Sequence, residues 1–301
     1  MEKINNRIRG VHKVSFSKVV NIASTEYVKW IFNPRLIVFV SMYLFMYDYI
    51  IRELIVGIDK MECHAINIFE PFIAMANNSL VNLIIPAVFI VLMSDFPKTD
   101  GNTMFYIQRV GKLNWMWGQL LFSFMSIITY MTSIAYISFL IIGNKAYSRD
   151  VWSDLTTDYV QKFPQEKATL IANMINGRLY NNVTPIRAFI HTFLLSSLFL
   201  MLVAMILLAG FSAGKRVLSM GIVSAVIAIG SGLIQTDGKV KWLFPSANSM
   251  LEIHFDKILR ERVVGLDISY LYFIGSIVIL FVIACLAIRR YDFAKITDME
   301  D

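Results

Sequence analysis

Residues 188–210 read AFIHTFLLSSLFLMLVAMILLAG, an apolar run that contains no Asp, Glu, Lys or Arg. The hydrocarbon core of a bilayer is about 30 Å thick, and a helix needs about 20 apolar residues to cross it. In lipid, a helix satisfies its backbone polar groups within its own segment. The run therefore predicts a transmembrane helix, and it decides how the rest of the chain is interpreted.

The composition of the whole chain agrees with this interpretation. Hydrophobic residues make up 56% of the 301 residues and the mean hydropathy is +0.59. Charged residues make up 17%, against about 25% in soluble domains. So few charges cannot cover a soluble surface, which excludes a soluble enzyme and a disordered chain. With two cysteines, a secreted disulfide scaffold is excluded as well.

Five further apolar runs resemble the first, so we predict an all-α integral membrane protein with six transmembrane helices. They divide the chain into a cytoplasmic N-terminus (1–35), a transmembrane domain (36–288) and a cytoplasmic tail (289–301). The six predicted helices lie near Leu36–Val56, Leu80–Phe96, Met116–Ile142, Ala188–Gly210, Val217–Gln235 and Ser269–Ile288.

The distribution of charge predicts the orientation of these helices. With six helices both termini lie on one side, and the segments on that side (1–35, 95–117, 211–216 and 289–301) carry a net charge of +7. The segments on the opposite side sum to zero. Since cytoplasmic segments carry the excess of Lys and Arg, both termini are predicted to be cytoplasmic. The formal net charge of +6 therefore indicates a multi-pass protein of the cell membrane, not a nucleic-acid-binding protein.

An amphipathic helix is predicted before the first transmembrane helix, over residues 15–32. Apolar residues recur there at steps of three and four, with Lys18 and Lys29 on the opposite face. We expect this elbow helix to lie in the headgroup layer, with Trp30 at the interface and the lysines toward anionic lipid. Two roles are open: an anchor for the first transmembrane helix, or an additional contact with a cytoplasmic partner.

The segment between the second and third predicted transmembrane helices has an unusual composition for a connection. Residues 94–119 read SDFPKTDGNTMFYIQRVGKLNWMWGQ. Turn residues at Pro97 and Asp100-Gly101 precede a short amphipathic helix from about Thr103 to Val110, which Gly111 is expected to end. A helix this short is marginal alone. It must bury its apolar side on the membrane surface or on another protein.

The motifs of this segment resemble those of permease subunits of type-2 ABC exporters, in particular those of Firmicutes operons for peptide export or immunity. The resemblance implies a bacterial protein with an elbow helix, six transmembrane helices and a cytoplasmic coupling helix. It also implies a structured outer segment before the sixth helix, where FPSANSML (244–251) lies. The motifs that carry the resemblance are Asp95-Phe96-Pro97, Asp100, Arg109-x-Gly111-Lys112, Trp115 and Gly118-Gln119.

The resemblance also implies partners. A separate cytoplasmic ABC ATPase, in two copies, would bind ATP and Mg, whereas the permease itself holds no cofactor and hydrolyses nothing. A second permease subunit, identical or different, would complete the pathway. Aromatic, Met and Arg residues are enriched at protein interfaces, although the aromatic residues of the coupling helix would also suit a lipid surface. The predicted ATPase-docking residues are Met104, Phe105, Tyr106, Arg109 and Lys112.

The predicted helix Leu36–Val56 contains an acidic and a basic side chain, Asp48 and Arg52, which are four residues apart and can pair on one helix face. Charged residues within a membrane are candidates for function because they are costly there. Two interpretations are open: a structural ion pair near the outer interface, or a polar lining of the export pathway together with Tyr43 and Tyr47.

The outer segment 144–187 is long for a simple connection. Trp152, Leu155, Tyr159 and Phe163 recur in it at helical steps, so we predict short helices that cover the outer end of the bundle. For the whole chain we expect a permease that moves an amphipathic or hydrophobic cargo, such as a peptide. The alternative is a membrane-embedded sensor or immunity protein that binds a peptide or lipid without transport. An intramembrane enzyme is disfavoured, since no paired catalytic groups occur in the apolar runs.

Overall fold

A computed structural model of the chain describes residues 14–62, 65–98, 107, 109–236, 238–256 and 263–290. These residues are mostly helical, and the long helices pack side by side as a bundle. The α-helices of the described residues are α1 (Phe16–Ile31), α2 (Leu36–Met46), α3 (Arg52–Met61), α4 (Glu70–Ala76), α5 (Ser79–Leu92), α6 (Lys112–Ile142), α7 (Asp154–Lys162), α8 (Gly177–Tyr180), α9 (Pro185–Ser212), α10 (Arg216–Leu233), α11 (Pro245–Ser249) and α12 (Leu266–Arg290).

Four helices in the described part of the chain are long and apolar enough to cross a membrane: α6, α9, α10 and α12. Two further pairs of consecutive helices are long and apolar enough only when the two helices of each pair are counted together, and each pair is bent. The axis turns by 63° between α1 and the helix Leu36–Met61, and by 81° between α4 and α5. Up to six crossings result. The predicted all-α fold with several apolar helices is confirmed, and we take α5 as the crossing part of its pair.

The observed bounds differ from the predicted ones mainly at the first three helices. α5 ends at Leu92, four residues before the predicted end, and α6 begins at Lys112, four residues before the predicted start. A π-helical turn, Tyr47–Ile51, joins α2 to α3, so this helix continues to Met61 and not only to Val56. It is longer because α3 is amphipathic, and its apolar side is buried within the protein.

α9 is the central helix of the bundle. It packs against α12, α10, α6, α5, α4 and the short helix α11. Half of its most apolar stretch is buried within the protein, whereas the corresponding fraction in α10 and α12 is 22%. α10 and α12 are therefore peripheral helices, and most of their apolar stretch is not buried within the described part of the chain.

α1 packs lengthwise against the first half of α6. The backbone N–H of Ser15 donates to Asn114 Oδ1 at 2.7 Å, and Tyr27 Oη lies 2.5 Å from Thr129 Oγ1. The second contact lies further toward the C-terminus than the first in both helices, so the two helices run in the same direction. The predicted apolar face of α1 is thus covered mostly by protein, although Phe16 at its start is 80% exposed.

The close approach of α1 to α6 depends on Gly118, and replacing this glycine with alanine tests the packing. A Cβ atom there would lie 2.5 Å from Ile22 Cγ2 and 2.7 Å from Ile22 Cβ. We expect Gly118→Ala to lower the free energy of unfolding by about 1–3 kcal/mol, as overpacking does. Adding Ile22→Ala should recover part of the loss. Gly221→Ala is the matched control, because nothing lies within 4 Å of its added Cβ.

Short elements between residues 145 and 184 form a cap over one end of the bundle. A two-residue parallel bridge pairs Ile66 with Ala146 and Asn67 with Tyr147. Ion pairs join Lys60 to Glu166 and Lys145 to Asp59, and so fix the cap to α3. The prediction of short helices here is confirmed by α7, whose Leu155 and Tyr159 are buried. We call this end of the bundle the cap end.

Candidate functional site

Three connections meet at Asp95, at the end of the bundle opposite the cap. The Arg35 guanidinium, where α2 begins, donates to the Asp95 carboxylate. Arg216, where α10 begins, donates from Nη2 to the carbonyl oxygen of Ser94 at 2.8 Å and lies 3.9 Å from Asp95 Oδ1. We call this end the Asp95 end. The cluster ties the first residues of two helices to the segment that leaves α5.

The electrostatics of this cluster favour its ionised form. The hydrogen bond from Arg35 holds the pKa of the Asp95 carboxyl below its usual value. The side chains of Arg35 and Asp95 are 37% and 48% exposed. Because water screens such pairs, the stabilisation is small, of the order of 1 kcal/mol or less. The cluster serves to position the connections at this end.

The predicted coupling helix is described in part. Met104, Phe105 and Tyr106 lie outside the described residues. Ile107 and Val110 are buried and Arg109 is exposed. The N–H of Gly111 donates to the Ile107 carbonyl at 2.7 Å, and Gly111 has a φ of 92°, a value that glycine adopts without a Cβ clash. As predicted, the helical turn ends at Gly111, and its basic residue faces outward.

Lys112 occupies a different position from Arg109. It is half-buried, and its Nζ donates to the Arg289 carbonyl at 3.3 Å. This bond joins the start of α6 to the end of α12. Trp115, one turn later, is buried with its ring centroid 5.9 Å from that of Phe211. Lys112 therefore has a structural contact within the bundle, and Arg109 is the more accessible of the two cations.

The predicted elbow residues lie in two different environments. Lys18 is exposed, and Lys29 is exposed with its Nζ 3.7 Å from Glu26 Oε1. Trp30 is only 8% exposed, and with Phe96 and Phe122 it lines a small cleft of about 30 Å³. The tryptophan is thus held in protein packing, where the sequence had suggested the lipid interface.

The residues proposed for the pathway lining are partly brought together. Asp48 and Arg52 form an ion pair at 2.7 Å, and their side chains are 69% and 64% exposed. Tyr47 is also exposed, whereas Tyr43 is buried in the bundle. The geometry fits the paired, structural interpretation of Asp48 and Arg52, and it places Tyr43 in a different environment from the other three residues.

A buried polar network at the cap end was not anticipated from the sequence. All five residues of α11 are buried. The side-chain amide of Asn248 donates to the carbonyls of Trp242 and Phe244 at 2.8 and 3.0 Å, and its Oδ1 accepts from Ser269 Oγ at 2.9 Å. Ser269 Oγ also lies 2.8 Å from His254 Nε2. This network fixes the segment before α12 to the start of α12.

Two asparagines fix the same segment to the rest of the bundle. Asn82 of α5 donates to Ser249 Oγ at 3.1 Å, and Asn77 accepts from the Glu252 N–H at 3.0 Å. The sequence signal for this burial is the small size of the residues Pro245–Ser249, because small residues let helices approach closely in membrane proteins. Gly230 of α10 shows the closeness, since a Cβ there would lie 2.8 Å from Ser246 Oγ.

His254 is a neutral member of this network. Burial lowers the pKa of its imidazole to about 4. Nδ1 lies 2.8 Å from the Met250 carbonyl and therefore carries the proton, so Nε2 is the acceptor for Ser269. The Ser269 hydroxyl has one proton, which it shares between His254 and Asn248. The arrangement holds the network together without a formal charge.

A buried carboxylate also joins α4 to the cap. Glu70, which is fully buried, accepts from the Ser153 N–H at 2.7 Å, from Ser153 Oγ at 2.6 Å and from Thr156 Oγ1 at 2.8 Å. Two of these donors belong to the residue that precedes α7. Burial raises the pKa of Glu70 to about 7, despite the three hydrogen bonds. No sequence motif connected residue 70 with residues 153–156.

Among the described residues, no group of three or more His, Cys, Asp or Glu side chains is placed to hold a metal ion. Gln119, at the Asp95 end of α6, is fully buried, and neither of its amide atoms has a hydrogen-bond partner within the described part of the chain. It is a polar group inside the bundle, not a member of a reactive cluster.

Comparisons with known proteins add no family to this description: no protein-family model, curated protein or solved structure matches the chain.

Proposed function

We propose that this chain is the membrane-embedded permease subunit of an ATP-driven exporter that moves an amphipathic or hydrophobic cargo. The observation that carries the proposal is the helical turn before Gly111. Its apolar residues Ile107 and Val110 are buried, while the cation Arg109 points to solvent. Because its apolar side chains are buried in the bundle, the turn is fixed to the bundle and presents a basic side chain to solvent. A cytoplasmic ATPase that binds this side chain could transmit a movement to the bundle.

The Asp95 cluster supports the same proposal. The connection that carries the helical turn leaves α5 at a point joined to the start of α2 and the start of α10. It re-enters the bundle at Lys112, which is joined to the end of α12. A displacement of the connection would therefore reach α2, α10 and α12, in addition to α5 and α6, which the connection joins. Allosteric coupling requires contacts of this kind, which differ between two states.

The outer surface of the bundle suits the proposed membrane environment and a second permease subunit. α10 and α12 expose most of their apolar side chains, among them Val217, Leu271 and Ile279. We propose that lipid and a second permease subunit, identical or different, share these surfaces. The orientation follows from the proposed ATPase contact, which places the Asp95 end in the cytoplasm.

Reversing one charge tests the docking assignment. The full chain, tagged and purified from membranes of its own source cells, is expected to carry an ATPase with Walker motifs and vanadate-sensitive ATP hydrolysis. Arg109→Glu should reduce the amount of co-purified ATPase activity at least tenfold, because it places a negative charge on the exposed basic surface. The activity per mole of purified chain is the measurement.

Lys215→Glu is the matched control, since it makes the same charge change at another exposed connection of the Asp95 end. It should keep the ATPase bound. Equal losses in the two variants would show a general effect of charge and contradict the assignment of Arg109. If the unmodified chain carries no ATPase at all, the exporter proposal is wrong, and a peptide- or lipid-binding sensor becomes the better explanation.

A further inference from the structure

A polar cavity of about 350 Å³ opens at the cap end. Four parts of the chain meet around it: residues 173–178 of the cap, residues 77–79 where α5 begins, residues 234, 235 and 241 after α10, and residues 250–253 after α11. The volume lies within the range of small-ligand sites, which are about 300–1,000 Å³. The cavity borders the buried polar network and shares Asn77, Met250 and Glu252 with the contacts described above.

Three side chains that line the cavity carry hydrogen-bond donors. The Nε atom of Arg178 is buried without a hydrogen-bond partner in the described part of the chain. Asn78 and Asn176 use their side-chain oxygens to accept backbone N–H groups in the first turns of α5 and α8. Because the oxygens are used in this way, the amide NH₂ groups remain as donors. A guanidinium and two amide NH₂ groups around one cavity suit an anionic ligand with several acceptor oxygens.

A smaller part of the cavity lining is apolar, and we call this part the floor. Ile234, Met250 and Ile253 pack together there as a small buried cluster, separate from the main core of the bundle. An apolar side chain of a ligand would find its partner on this floor, close to the donors. A ligand that carries a carboxylate next to an apolar side chain therefore matches both surfaces.

The charges that line the cavity limit the charge of the ligand. Among the described lining residues, Arg178 and Lys241 are cationic, and Glu252 is anionic. These three side chains sum to one positive charge, which matches a monoanion such as a carboxylate.

We propose that this cavity binds the C-terminal carboxylate and the last apolar side chain of a peptide. The proposal rests on the proposed function in one respect, since it names the chemical class of the cargo. The Arg178 guanidinium pairs with the carboxylate, the NH₂ groups of Asn78 and Asn176 donate to its oxygens, and the apolar floor holds the terminal side chain. Arg suits this role because its planar donors match a carboxylate in a bidentate manner.

The proposal is tested by equilibrium binding to the full chain in nanodiscs, without ATP. The probe is a pool of fluorescein-labelled tetrapeptides with random apolar residues, in one form ending in a carboxylate and in the other in an amide. Fluorescence polarisation should show at least tenfold tighter binding of the carboxylate pool. Equal affinity of the two pools, or no binding of either, would overturn the proposal.

Two variants locate the binding in this cavity. Arg178→Gln should weaken binding of the carboxylate pool at least tenfold, whereas Arg187→Gln, an exposed arginine of α9 outside the cavity, should not change it. Asn176→Asp keeps an oxygen for the Arg178 N–H, so α8 keeps its cap. It replaces the free donor with a negative charge and should weaken binding to a similar extent. Unchanged binding in both cavity variants would overturn the assignment.

A lipid headgroup is the competing occupant, and the nanodisc composition separates it from a peptide. Peptide affinity should be the same in phosphatidylcholine discs and in discs that contain phosphatidylglycerol. A loss of affinity with phosphatidylglycerol that disappears in Arg178→Gln would show that the cavity binds lipid and would overturn the proposal. Because this experiment needs no ATPase, its failure leaves the docking result at Arg109 intact, and the reverse also holds.

Discussion

Replacing Asn248 with aspartate will lower the free energy of unfolding by about 4 kcal/mol, although the two side chains have nearly the same shape. The Asn248 amide donates to two backbone carbonyls, at 2.8 and 3.0 Å, and the residue is 2% exposed. Aspartate turns both donors into an acceptor that faces two other acceptors. A buried carbonyl without a donor costs about 1–3 kcal/mol, and an uncompensated buried charge costs more.

The same substitution at Asn173 is the control for this prediction. The Asn173 amide also donates to two backbone carbonyls, those of Lys167 and Thr169, both at 2.9 Å, but the residue is exposed. Because water can replace the lost donors, Asn173→Asp should cost less than about 1 kcal/mol. Unfolding of the purified protein in bicelles, followed by steric trapping, gives both values. Similar costs at the two positions would show that burial of the α11 segment contributes little.

The second large effect is expected at Glu70. Glu70→Ala removes the acceptor of three hydrogen bonds, from Ser153 N–H, Ser153 Oγ and Thr156 Oγ1. The site is buried, so the donors are left without partners, and we expect a loss of about 3 kcal/mol in the free energy of unfolding. Local unfolding of the cap, measured by hydrogen exchange of the α7 amides, should increase in parallel.

Asp150→Ala is the matched control for Glu70→Ala. The Asp150 carboxylate also accepts a backbone N–H at the start of a helix, that of Ile186 at 3.0 Å, but it is exposed. Its removal should cost about 1 kcal/mol or less, as for an exposed helix cap. A cost at Glu70 no larger than at Asp150 would contradict the role assigned to the buried carboxylate.

The raised pKa of Glu70 gives this site a characteristic dependence on pH. Its carboxyl has a pKa of about 7 in the folded protein and an ordinary value of 4.5. The folded state therefore binds the proton more tightly, and stability relative to Glu70→Gln is greatest below pH 4.5. It should fall by about 3 kcal/mol as the pH rises to 7, at ~1.4 kcal/mol per pKa unit.

His254 has the opposite effect over an overlapping range. Its pKa falls from 6.5 to about 4 in the folded protein, so the unfolded state binds the proton more tightly, and this term adds stability as the pH rises from 4 to 6.5. The two terms partly cancel in the unmodified protein. The difference between the unmodified chain and Glu70→Gln isolates the Glu70 term, because His254 contributes equally to both.

The long helices of the bundle could be predicted from the sequence because their signal is local. A run such as 188–210 is apolar over its whole length, and the observed helix, Pro185–Ser212, extends it by only a few residues at each end. The exposed ion pair of Asp48 and Arg52 was predictable for the same reason, since its two members are one helical turn apart.

The polar contacts at the cap end could not be predicted, because they join distant parts of the chain. Glu70 and Ser153 are 83 positions apart, and Asn82 and Ser249 are 167 positions apart. Each of these residues, taken alone, is typical of an exposed loop. The position of Trp30 could not be predicted for the same reason. A tryptophan near a predicted membrane boundary suggested the lipid interface. In the fold, Phe96 and Phe122 from two other segments lie beside it in one cleft.

The lengthwise contact between α1 and α6 bears on how this chain can be recombined with a homologous one. Ser15 and Asn114, which begin the contact, are 99 positions apart, so a single crossover between them joins an α1 from one parent to an α6 from the other. In such a chain, the residue at position 22 comes from one parent and the residue at position 118 from the other. Beside Ile22 there is no room for a Cβ atom at position 118. The two helices should therefore be taken from the same parent, although the sequence separates them by two membrane-length helical segments.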